Sequence, residues 1–499
     1  MDTSKSKIIF AAIQRANALT DPDIRNDLEK RHKFVGQKIF DDESLTLPEK
    51  MEAMIVITQD YDYFKVLHNI GEKRLCQNCL LECLATLYCE NCVRIYLRND
   101  FPNWTSGNVD VDNLIQACQI ESFRPDNIIE WIPYNKLQDI KYVTKGGFSE
   151  IYSANWIDGR YFDWYTEGQR LIRTGKFKVI LKNLGNINKA DKKWFEEAKI
   201  HLTLRNKNGQ FVACYGLTKN PTDENYMIVM RFMDADLRKY IQHQRTWKEK
   251  LHIASDIIKA LAIIHKSGAI HRDLHSGNIL YSEYNNHWFI SDFGLCGPPD
   301  KSSKDIYGNL PFIAPEVLTG KEYTPASDIY SFGILMWEIS SGKPPFNGSE
   351  HDYYLTKEII DGMRPKIKTG IPLKYRELMQ QCWDADPLKR PDANIISSEF
   401  DKMRIDSYND DESNEFNTLE QDNSSQISNP SMELSSSFKL HTSSTSSRIY
   451  QSENLLEPRN ATTGEISTYK SSYFFLKKKI NKKDVVYVAN LKFLIIMHL

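Results

Sequence analysis

The chain has 499 residues, 41% of them apolar, which is enough for a large core and for about two to four domains of ordinary size. Lysine and arginine total 64 against 66 aspartates and glutamates, so a net charge of −2 excludes a global field that would recruit nucleic acid or an anionic membrane. The amino-terminal stretch MDTSKSKIIFAAIQRANALTD has only a short apolar patch and no small-residue cleavage pattern, and no apolar run reaches spanning length. An intracellular protein is expected, cytoplasmic or also nuclear.

Composition divides the chain into segments of different character. The first is charged and helix-favouring and carries no chemistry that the sequence identifies, whereas the last loses hydrophobic periodicity and is predicted to be disordered. The predicted boundaries are an N-terminal extension at 1–70, a zinc knuckle at 71–97, a connecting segment at 98–127, a globular domain at 128–404 and a serine-rich tail at 405–499.

Five cysteines lie in the stretch LCQNCLLECLATLYCENC. Two C-x-x-C motifs separated by a short loop are the usual way for four thiolates to reach one tetrahedral ion, so a structural Zn²⁺ is the first interpretation. Unliganded surface thiols are the main alternative, and a disulfide framework does not suit an intracellular chain. Cys83 is then a spare thiol. The expected zinc ligands are Cys76, Cys79, Cys89 and Cys92.

The globular region begins with a glycine turn between β-formers, VTKGGFSEIYSANW. Small residues there let backbone N–H groups approach phosphate oxygens, although glycine pairs alone more often mark an ordinary hairpin. A strand pattern, FKVILKNL, then ends near Lys182, and DKKWFEEAKIHLTLR has apolar residues at i+4 as on one face of a helix. Its two glutamates, Glu196 and Glu197, are either surface residues or partners that hold the lysine for phosphate contact.

The strongest signal is the order of two further motifs. IHRDLHSGNIL contains Asp273 and Asn278, and ISDFGL, which contains Asp292, follows it closely in the chain. Phosphoryl transfer needs a carboxylate that accepts the proton of the attacking hydroxyl and oxygen ligands for Mg²⁺, which these side chains provide. The motif APE follows at positions 314–316. Together the motifs predict a phosphotransfer site.

With these motifs in this order, residues 128–404 resemble the protein kinases. The stretches SDIYSFGILMWEISSGKPPF and CWDADPLKRP also match, and their wording is most similar to the tyrosine-kinase-like group of fungal type. The resemblance implies an α+β, bilobal protein kinase fold with a β-rich smaller lobe and an α-rich larger lobe. It also implies ATP and Mg²⁺ as cofactors and protein substrates in intracellular signalling.

The resemblance assigns roles to the motif residues. Asp273 would be the catalytic base, and Asn278 and Asp292 the Mg²⁺ ligands. Lys182 would contact the ATP phosphates and pair with Glu197. The residues implied to contact the nucleotide are Val143, Gly146, Gly147, Phe148, Ile151, Lys182, Glu197, Met230, Arg231, Met233 and His275.

Structural roles follow from the same resemblance. Asp328 would hold the backbone of the catalytic loop, while Glu316 and Arg390 would form a structural ion pair. Residues 231–233 would connect the lobes as a hinge. The stretch IDGRYFDWYTEGQRLIRTGK is longer than the family norm and predicts an enlarged hairpin, and His201 is interpreted as a packed core histidine.

Several positions depart from the family pattern. Thr144 and Ser149 replace glycines of the glycine loop, and Ile180 stands where a small alanine is usual. His275 replaces the lysine of serine/threonine kinases, and an imidazole with an ordinary pKa of about 6.5 substitutes for it in part when phosphate favours its charged form. These departures support the alternative of a pseudokinase scaffold that binds partners without catalysis.

The acceptor and the regulation are inferred from the segment between DFG and APE. Asn309 stands where serine/threonine kinases commonly have threonine, and the tryptophan-containing version of tyrosine kinases is absent, so serine and threonine are favoured over tyrosine. Arg272 beside the catalytic acid predicts control by phosphate on this segment, added by an upstream kinase or by autophosphorylation. The candidate acceptors are Ser302, Ser303 and Tyr307.

The tail offers two open interpretations, because serine is by far the most frequent residue type at positions 421–450. It is a phosphorylated regulatory region or a passive linker. The segment 470–499 joins a basic cluster to an apolar end, which predicts weak membrane-surface contact or a sticky end without function. A nucleic-acid partner has no support in the sequence.

Overall fold

A computed structural model describes residues 3–25, 27–122, 124–145, 149–185, 195, 197–202, 211–298, 306–348, 353–415, 448–450 and 457–460. A β-rich lobe precedes an α-rich lobe, as the predicted α+β, bilobal fold requires. Among the helices in these ranges, none combines the length and apolar character needed to cross a membrane.

Helices occur in the N-terminal extension, in the cysteine and connecting segments, and in both lobes. They are α1 (Thr3–Ala18), α2 (Pro22–Arg25), α3 (Leu28–Asp41), α4 (Leu47–His68), α5 (Glu90–Asp100), α6 (Val109–Ile120), α7 (described at 195 and 197–202), α8 (Leu237–Tyr240), α9 (Trp247–Lys266), α10 (Pro315–Leu318), α11 (Pro325–Ser341), α12 (Tyr353–Ile360), α13 (Leu373–Cys382) and α14 (Ala393–Glu415).

The strands form one large sheet and several small ones. They are β1 (Arg74–Leu75), β2 (Glu82–Cys83), β3 (Glu130–Trp131), β4 (Leu137–Lys145), β5 (Glu150–Trp156), β6 (Tyr161–Tyr165), β7 (Arg170–Arg173), β8 (Phe177–Gly185), β9 (Cys214–Lys219), β10 (Tyr226–Arg231), β11 (Ala235–Asp236), β12 (Ile279–Ser282), β13 (His287–Ile290), β14 (Ile306–Gly308) and β15 (Arg448–Tyr450).

The smaller lobe is built on a six-stranded sheet with the order β3-β9-β10-β8-β5-β4. Side chains alternate between its faces, so β8 sends Val179 and Leu181 into one core and leaves Lys182 on the other side. Lys182 pairs with Ile151 of β5 and with Ile228 of β10. This register places the lysine in the middle of the sheet, where its neighbours fix its position.

The larger lobe is organised around α11, which is buried along almost its whole length. Helix α9 packs beside it and α14 packs on α9, and the core includes Ile258, Phe332 and Phe400. The start of α9 is well defined, because Thr246 and Glu249 form a capping box there. Gly342 ends α11 in the left-handed region, with φ of 66°.

The N-terminal extension forms its own small core between α1, α3 and α4 and then docks on the larger lobe. Lys7 Nζ lies 2.5 Å from Glu283 Oε1, and Gln14 exchanges two hydrogen bonds of 3.1 Å with Asn286. Arg25 reaches Asp401 of α14 at 3.5 Å. The extension is therefore tied to the back of the larger lobe, which its sequence did not indicate.

The cysteine segment packs on the smaller lobe through the predicted enlarged hairpin. This hairpin is the separate sheet β6–β7, so that prediction is confirmed. Its Trp164 and Leu171 are buried in the same cluster as the cysteines, and the Tyr96 ring lies edge-on to Trp164 at 5.9 Å. The enlarged hairpin thus provides the surface on which the cysteine segment packs.

The prediction of a disordered tail from residue 405 needs correction for short segments. Helix α14 continues to Glu415, β15 pairs with β14, and residues 457–460 contact the larger lobe. Composition did not reveal these contacts, because they join the tail to elements far away in sequence. The rest of the predicted tail lies outside the described residues.

Candidate active site

Lys182, on β8 of the smaller lobe, contacts one acid on α7 and another in the DFG segment. Its Nζ lies 2.5 Å from Glu197 Oε1 on α7 and 2.8 Å from Asp292 Oδ1. Burial alone would lower the pKa of Lys182, but the carboxylates of Asp292 and Glu197 outweigh it and raise the pKa above its ordinary value. The ammonium group is therefore charged and held between two acids.

Helix α7 positions Glu197 through its apolar side. Ala198 and Leu202, one helical turn apart, are fully buried in a cluster that also contains Ile228 and Met230 of the sheet. The Ile115 side chain of α6 belongs to the same cluster. The predicted lysine–glutamate pair is thus present with Glu197, while Glu196 lies outside the described residues.

The catalytic loop brings together the predicted base and amide. Asn278 Nδ2 donates to the Asp273 carbonyl at 2.9 Å and to Asp273 Oδ2 at 3.3 Å. The backbone N–H of Asn278 also donates to the His275 carbonyl at 2.9 Å. Asp273 and Asn278 are nearly buried, with 8% and 9% exposure. This network fixes the carboxylate of Asp273 relative to Asn278.

Asp328 anchors the backbone of the catalytic loop. Its carboxylate accepts from the backbone N–H groups of His271 and Arg272 at 2.8 and 2.9 Å, and lies 2.9 Å from His265 Nε2. Burial would raise the pKa of Asp328, but the hydrogen bond from His265 and the nearby histidines lower it overall. Arg272 is held with φ of 69°, an uncommon conformation that this anchoring supports.

The DFG segment places Asp292 in the site by burying the next residue. Phe293 is 1% exposed and contacts the rings of His201, Phe211 and His271 edge-on, with centroids 4.7 to 5.7 Å apart. His201 is buried, and its burial lowers its pKa to about 3. It is a neutral core histidine, as the sequence predicted.

His275 lies beside Asp273, the predicted base. Its Nδ1 accepts from the Gly277 N–H at 3.0 Å, and its Nε2 is 3.7 Å from Asp273 Oδ2. The ring is 7% exposed and its centroid lies 6.0 Å from that of Phe312. The imidazole thus has a fixed orientation, with one nitrogen bonded to the backbone and the other toward the carboxylate of Asp273.

Glu338 and His265 were missed by the sequence analysis. Glu338 Oε1 accepts from the Ser276 hydroxyl at 2.9 Å, which links α11 to the catalytic loop. Burial raises the pKa of Glu338 to about 7. His265 lies near the end of α9 and contacts Asp328. A glutamate beside the apolar run FGILMW was the signal in the sequence that pointed to Glu338.

The nucleotide side of the site is only partly described. Met230 pairs with Ile180 across the sheet, and the N–H of Arg231 donates to the Ala213 carbonyl at 2.7 Å. Met233 packs at the edge of the cluster that contains Met230. Val143 and Ile151 lie on β4 and β5, whereas Gly146, Gly147 and Phe148 lie outside the described residues. The expected hinge, residues 231–233, thus begins at the last residue of β10.

The predicted structural ion pair between Glu316 and Arg390 is present in the larger lobe. Arg390 donates from two nitrogens to Glu316 at 2.6 and 2.8 Å, and the Arg390 side chain is completely buried. This bidentate geometry anchors α10, which follows the activation segment.

Comparison with known proteins agrees with this geometry. The family model described as protein tyrosine and serine/threonine kinase matches residues 137–400, more than half of the chain. The chain belongs to this protein kinase family. The matched residues contain the lysine, the catalytic loop and the DFG segment described above.

Curated relatives are also protein kinases. The dual specificity protein kinases zakA and zak2 of Dictyostelium discoideum are 32% and 31% identical over 44% and 55% of this chain. The human dual serine/threonine and tyrosine protein kinase is 34% identical over 34% of it. The chain spans less than half of these relatives, 31%, 45% and 18% of their lengths.

The cysteine segment lies next to the kinase domain and brings the four predicted thiols together. Cys76 Sγ is 3.6 Å from Cys92 Sγ, and Cys79 Sγ is 3.7 Å from Cys89 Sγ. All four sulfur atoms lie within 4.8 Å of one another. Cys76 and Cys79 belong to a tight turn after β1, and Cys89 and Cys92 to the start of α5. The four thiols are therefore close enough together to hold one metal ion.

Proposed function

We propose that this chain is an active protein kinase that transfers the ATP γ-phosphate to serine or threonine hydroxyls of protein substrates. The observation that carries the proposal is the double contact of Lys182 with Glu197 and Asp292. This contact requires α7 and the DFG segment to hold their catalytic positions together. The family membership supports the same activity.

The residues fit a magnesium nucleotide. Asn278 uses its amide nitrogen for Asp273, which leaves its oxygen as a ligand atom, and the Asp292 side chain is 41% exposed. Hard oxygen donors of this kind suit Mg²⁺, which when bound neutralises phosphate charge. Asp273 would accept the proton of the acceptor hydroxyl, and Lys182 would orient the α- and β-phosphates.

Turnover of [γ-³²P]ATP by the full chain tests the proposal. The wild-type chain should label a generic protein substrate, and Asp292→Asn should reduce labelling at least about 10²-fold because a metal ligand is lost. Asp361→Asn, the same chemical change in the turn after α12, is the matched control and should keep full activity. Labelling that is equally absent in wild type and Asp292→Asn would instead favour the pseudokinase scaffold.

We place the chain in the tyrosine-kinase-like group and favour serine and threonine as acceptors. The amino-acid sequences of the motifs around Asp328 and Arg390 support the group. Asn309 in the activation segment bears on the acceptor. Relatives named as dual specificity kinases make tyrosine the specific alternative. Phosphoamino-acid analysis of a labelled random-sequence protein mixture distinguishes the two, and a majority of phosphotyrosine would overturn the preference.

We also propose that the cysteine cluster holds a structural Zn²⁺. A tetrahedral ion with Zn–S bonds of about 2.3 Å separates its sulfur ligands by about 3.8 Å, and the observed 3.6 and 3.7 Å come close to this. Metal analysis should find about one zinc per chain. Cys92→Ser should lose it, while Cys83→Ser, in the same segment but outside the four, should retain it.

Control by phosphate on the activation segment stays a proposal. Arg272 donates to the carbonyls of Leu295 and Pro298, so its guanidinium lies beside the start of that segment. Of the candidate acceptors, Ser302 and Ser303 lie outside the described residues and Tyr307 is on β14. Mass spectrometry of the active protein should find phosphate there, and an unmodified segment in fully active protein would contradict the idea.

A further inference from the structure

The tail returns to the activation segment as a strand. Strand β15 pairs antiparallel with β14, with Gly308 opposite Arg448, Tyr307 opposite Ile449 and Ile306 opposite Tyr450. Among the described strands, β14 has no other partner. Exposed strand edges bind extended peptides through backbone hydrogen bonds, so the edge of β14 can bind peptides that differ in sequence.

This edge lies directly against the catalytic base. A side-chain carbon placed on Gly308 would be 3.5 Å from Asp273 Oδ1, and Gly308 itself has φ of +131°, which favours glycine. Ile306 is buried in the core of the larger lobe and fixes the other end of β14. A strand paired with β14 therefore runs past the catalytic carboxylate.

A second contact holds the tail a few residues later. Asn460 Oδ1 accepts from the Ala385 N–H at 2.9 Å, and its Nδ2 donates to Asp384 Oδ1 at 3.0 Å. The Arg459 N–H donates to the Ile360 carbonyl at 3.1 Å. Glu457 reaches Lys321 at 2.7 Å, but both side chains are exposed, so this pair adds little.

Exposure differs between the two sides of the cleft. The Asp273 side chain on the acceptor side is 7% exposed, whereas the Asp292 side chain on the metal side is 41% exposed. The tail strand lies along the acceptor side. A nucleotide and the tail therefore use different parts of the site.

We propose that residues 448–450, anchored by residues 457–460, occupy the strand edge that an extended protein substrate would use, and so compete with that substrate within the same chain. This inference rests on the proposed kinase function. The tail segment is the occupant, and the protein substrate is its competitor. The nucleotide should not be affected.

The test uses the full chain with the double substitution Arg448→Pro and Ile449→Pro. Successive N–H groups of a strand point to opposite edges, so one of the two prolines must remove a donor that faces β14. The matched control is Ser435→Pro with Ser436→Pro, a double proline substitution elsewhere in the tail. Two readouts are needed, because one of them must not depend on activity.

Hydrogen exchange measures the docking itself. The amides within residues 306–308 that face β15 should exchange about tenfold faster in the double-proline variant than in the wild type, which corresponds to about 1.4 kcal/mol. The serine-to-proline control should match the wild type. Equal exchange in all three proteins would overturn the docking, whether or not the chain is an active kinase.

Steady-state kinetics measure the competition. The KM for an exogenous peptide substrate should fall about tenfold in the double-proline variant, while kcat and the KM for ATP remain unchanged. A synthetic peptide of residues 441–460 should then inhibit this variant competitively against the peptide substrate. Faster exchange with an unchanged peptide KM would overturn the competition, and absence of turnover in every protein would overturn the proposed function instead.

Discussion

Glu338 of α11 accepts a hydrogen bond from Ser276 at 2.9 Å and so connects the most buried helix of the larger lobe with the catalytic loop. Its other oxygen, Oε2, is buried and has no hydrogen-bond partner among the described residues. Burial raises the pKa of Glu338 to about 7. The loop is thus attached to a carboxyl group that gains its charge near neutral pH.

This relationship predicts a pH-dependent stability. The folded pKa of about 7 lies above the ordinary value of 4.5, so the folded state binds more protons between these values and the free energy of unfolding falls as pH rises through this window. Glu338→Gln keeps the hydrogen bond to Ser276 without a charge and should flatten that fall. Urea unfolding at pH 5 and pH 8 measures it, and an equally steep fall in the variant would contradict the assignment to Glu338.

The anchoring of the catalytic loop by Asp328 predicts a loss of catalysis. In Asp328→Asn an NH₂ group replaces one acceptor oxygen, so it faces an N–H donor of His271 or Arg272. We expect kcat to fall about 10²-fold and the free energy of unfolding to fall by about 2 kcal/mol. Single-turnover kinetics and urea unfolding measure these effects, and unchanged kcat would show that the loop holds its shape without Asp328.

His275 and Asp273 should differ strongly in their effect on kcat. His275→Ala removes a side chain that lies beside Asp273 and is expected to contact the ATP phosphates, so it should lower kcat about three- to tenfold. Asp273→Asn removes the proton acceptor and should lower it at least about 10³-fold. Phosphorylation of a peptide at saturating ATP measures both, and His275→Lys should keep activity close to the wild type. Equal losses for His275→Ala and Asp273→Asn would contradict the ranking.

The buried ion pair of Glu316 and Arg390 should be important for stability. Arg390→Leu leaves the Glu316 carboxylate buried without its partner, and removal of one member of such a pair costs about 3 to 5 kcal/mol. Lys402→Leu removes a cation from an exposed pair with Glu399 and should cost less than about 1 kcal/mol. Denaturant unfolding compares the two, and similar losses would show that the burial of Arg390 is not what matters.

The sequence revealed the parts of the site that are encoded locally. Asp273 and Asn278 lie in one short motif, so their contact could be predicted, and Asp292 was found from a second short motif that follows it closely. Lys182 and Glu197 could be paired only through the family resemblance, because a strand lysine and a helix glutamate also fit surface positions.

Other contacts had no local signal. Lys7 meets Glu283, and Gly308 faces Arg448, across long stretches of intervening chain. Pairings of this kind depend on the packing of whole elements, which a hydrophobic pattern or a composition does not specify. The order in residues 448–450 was missed for this reason.

The N-terminal extension provides a second connection between the two lobes, besides the hinge. Helix α1 is fastened to the larger lobe at Glu283 and Asn286, while α4 is bonded to the cysteine segment through Lys65 and Thr86 at 2.9 Å, and that segment lies on the smaller lobe. When the lobes rotate apart, this second connection must bend or detach along with the hinge. The cleft of this kinase should therefore open less freely than one in which the hinge alone joins the lobes.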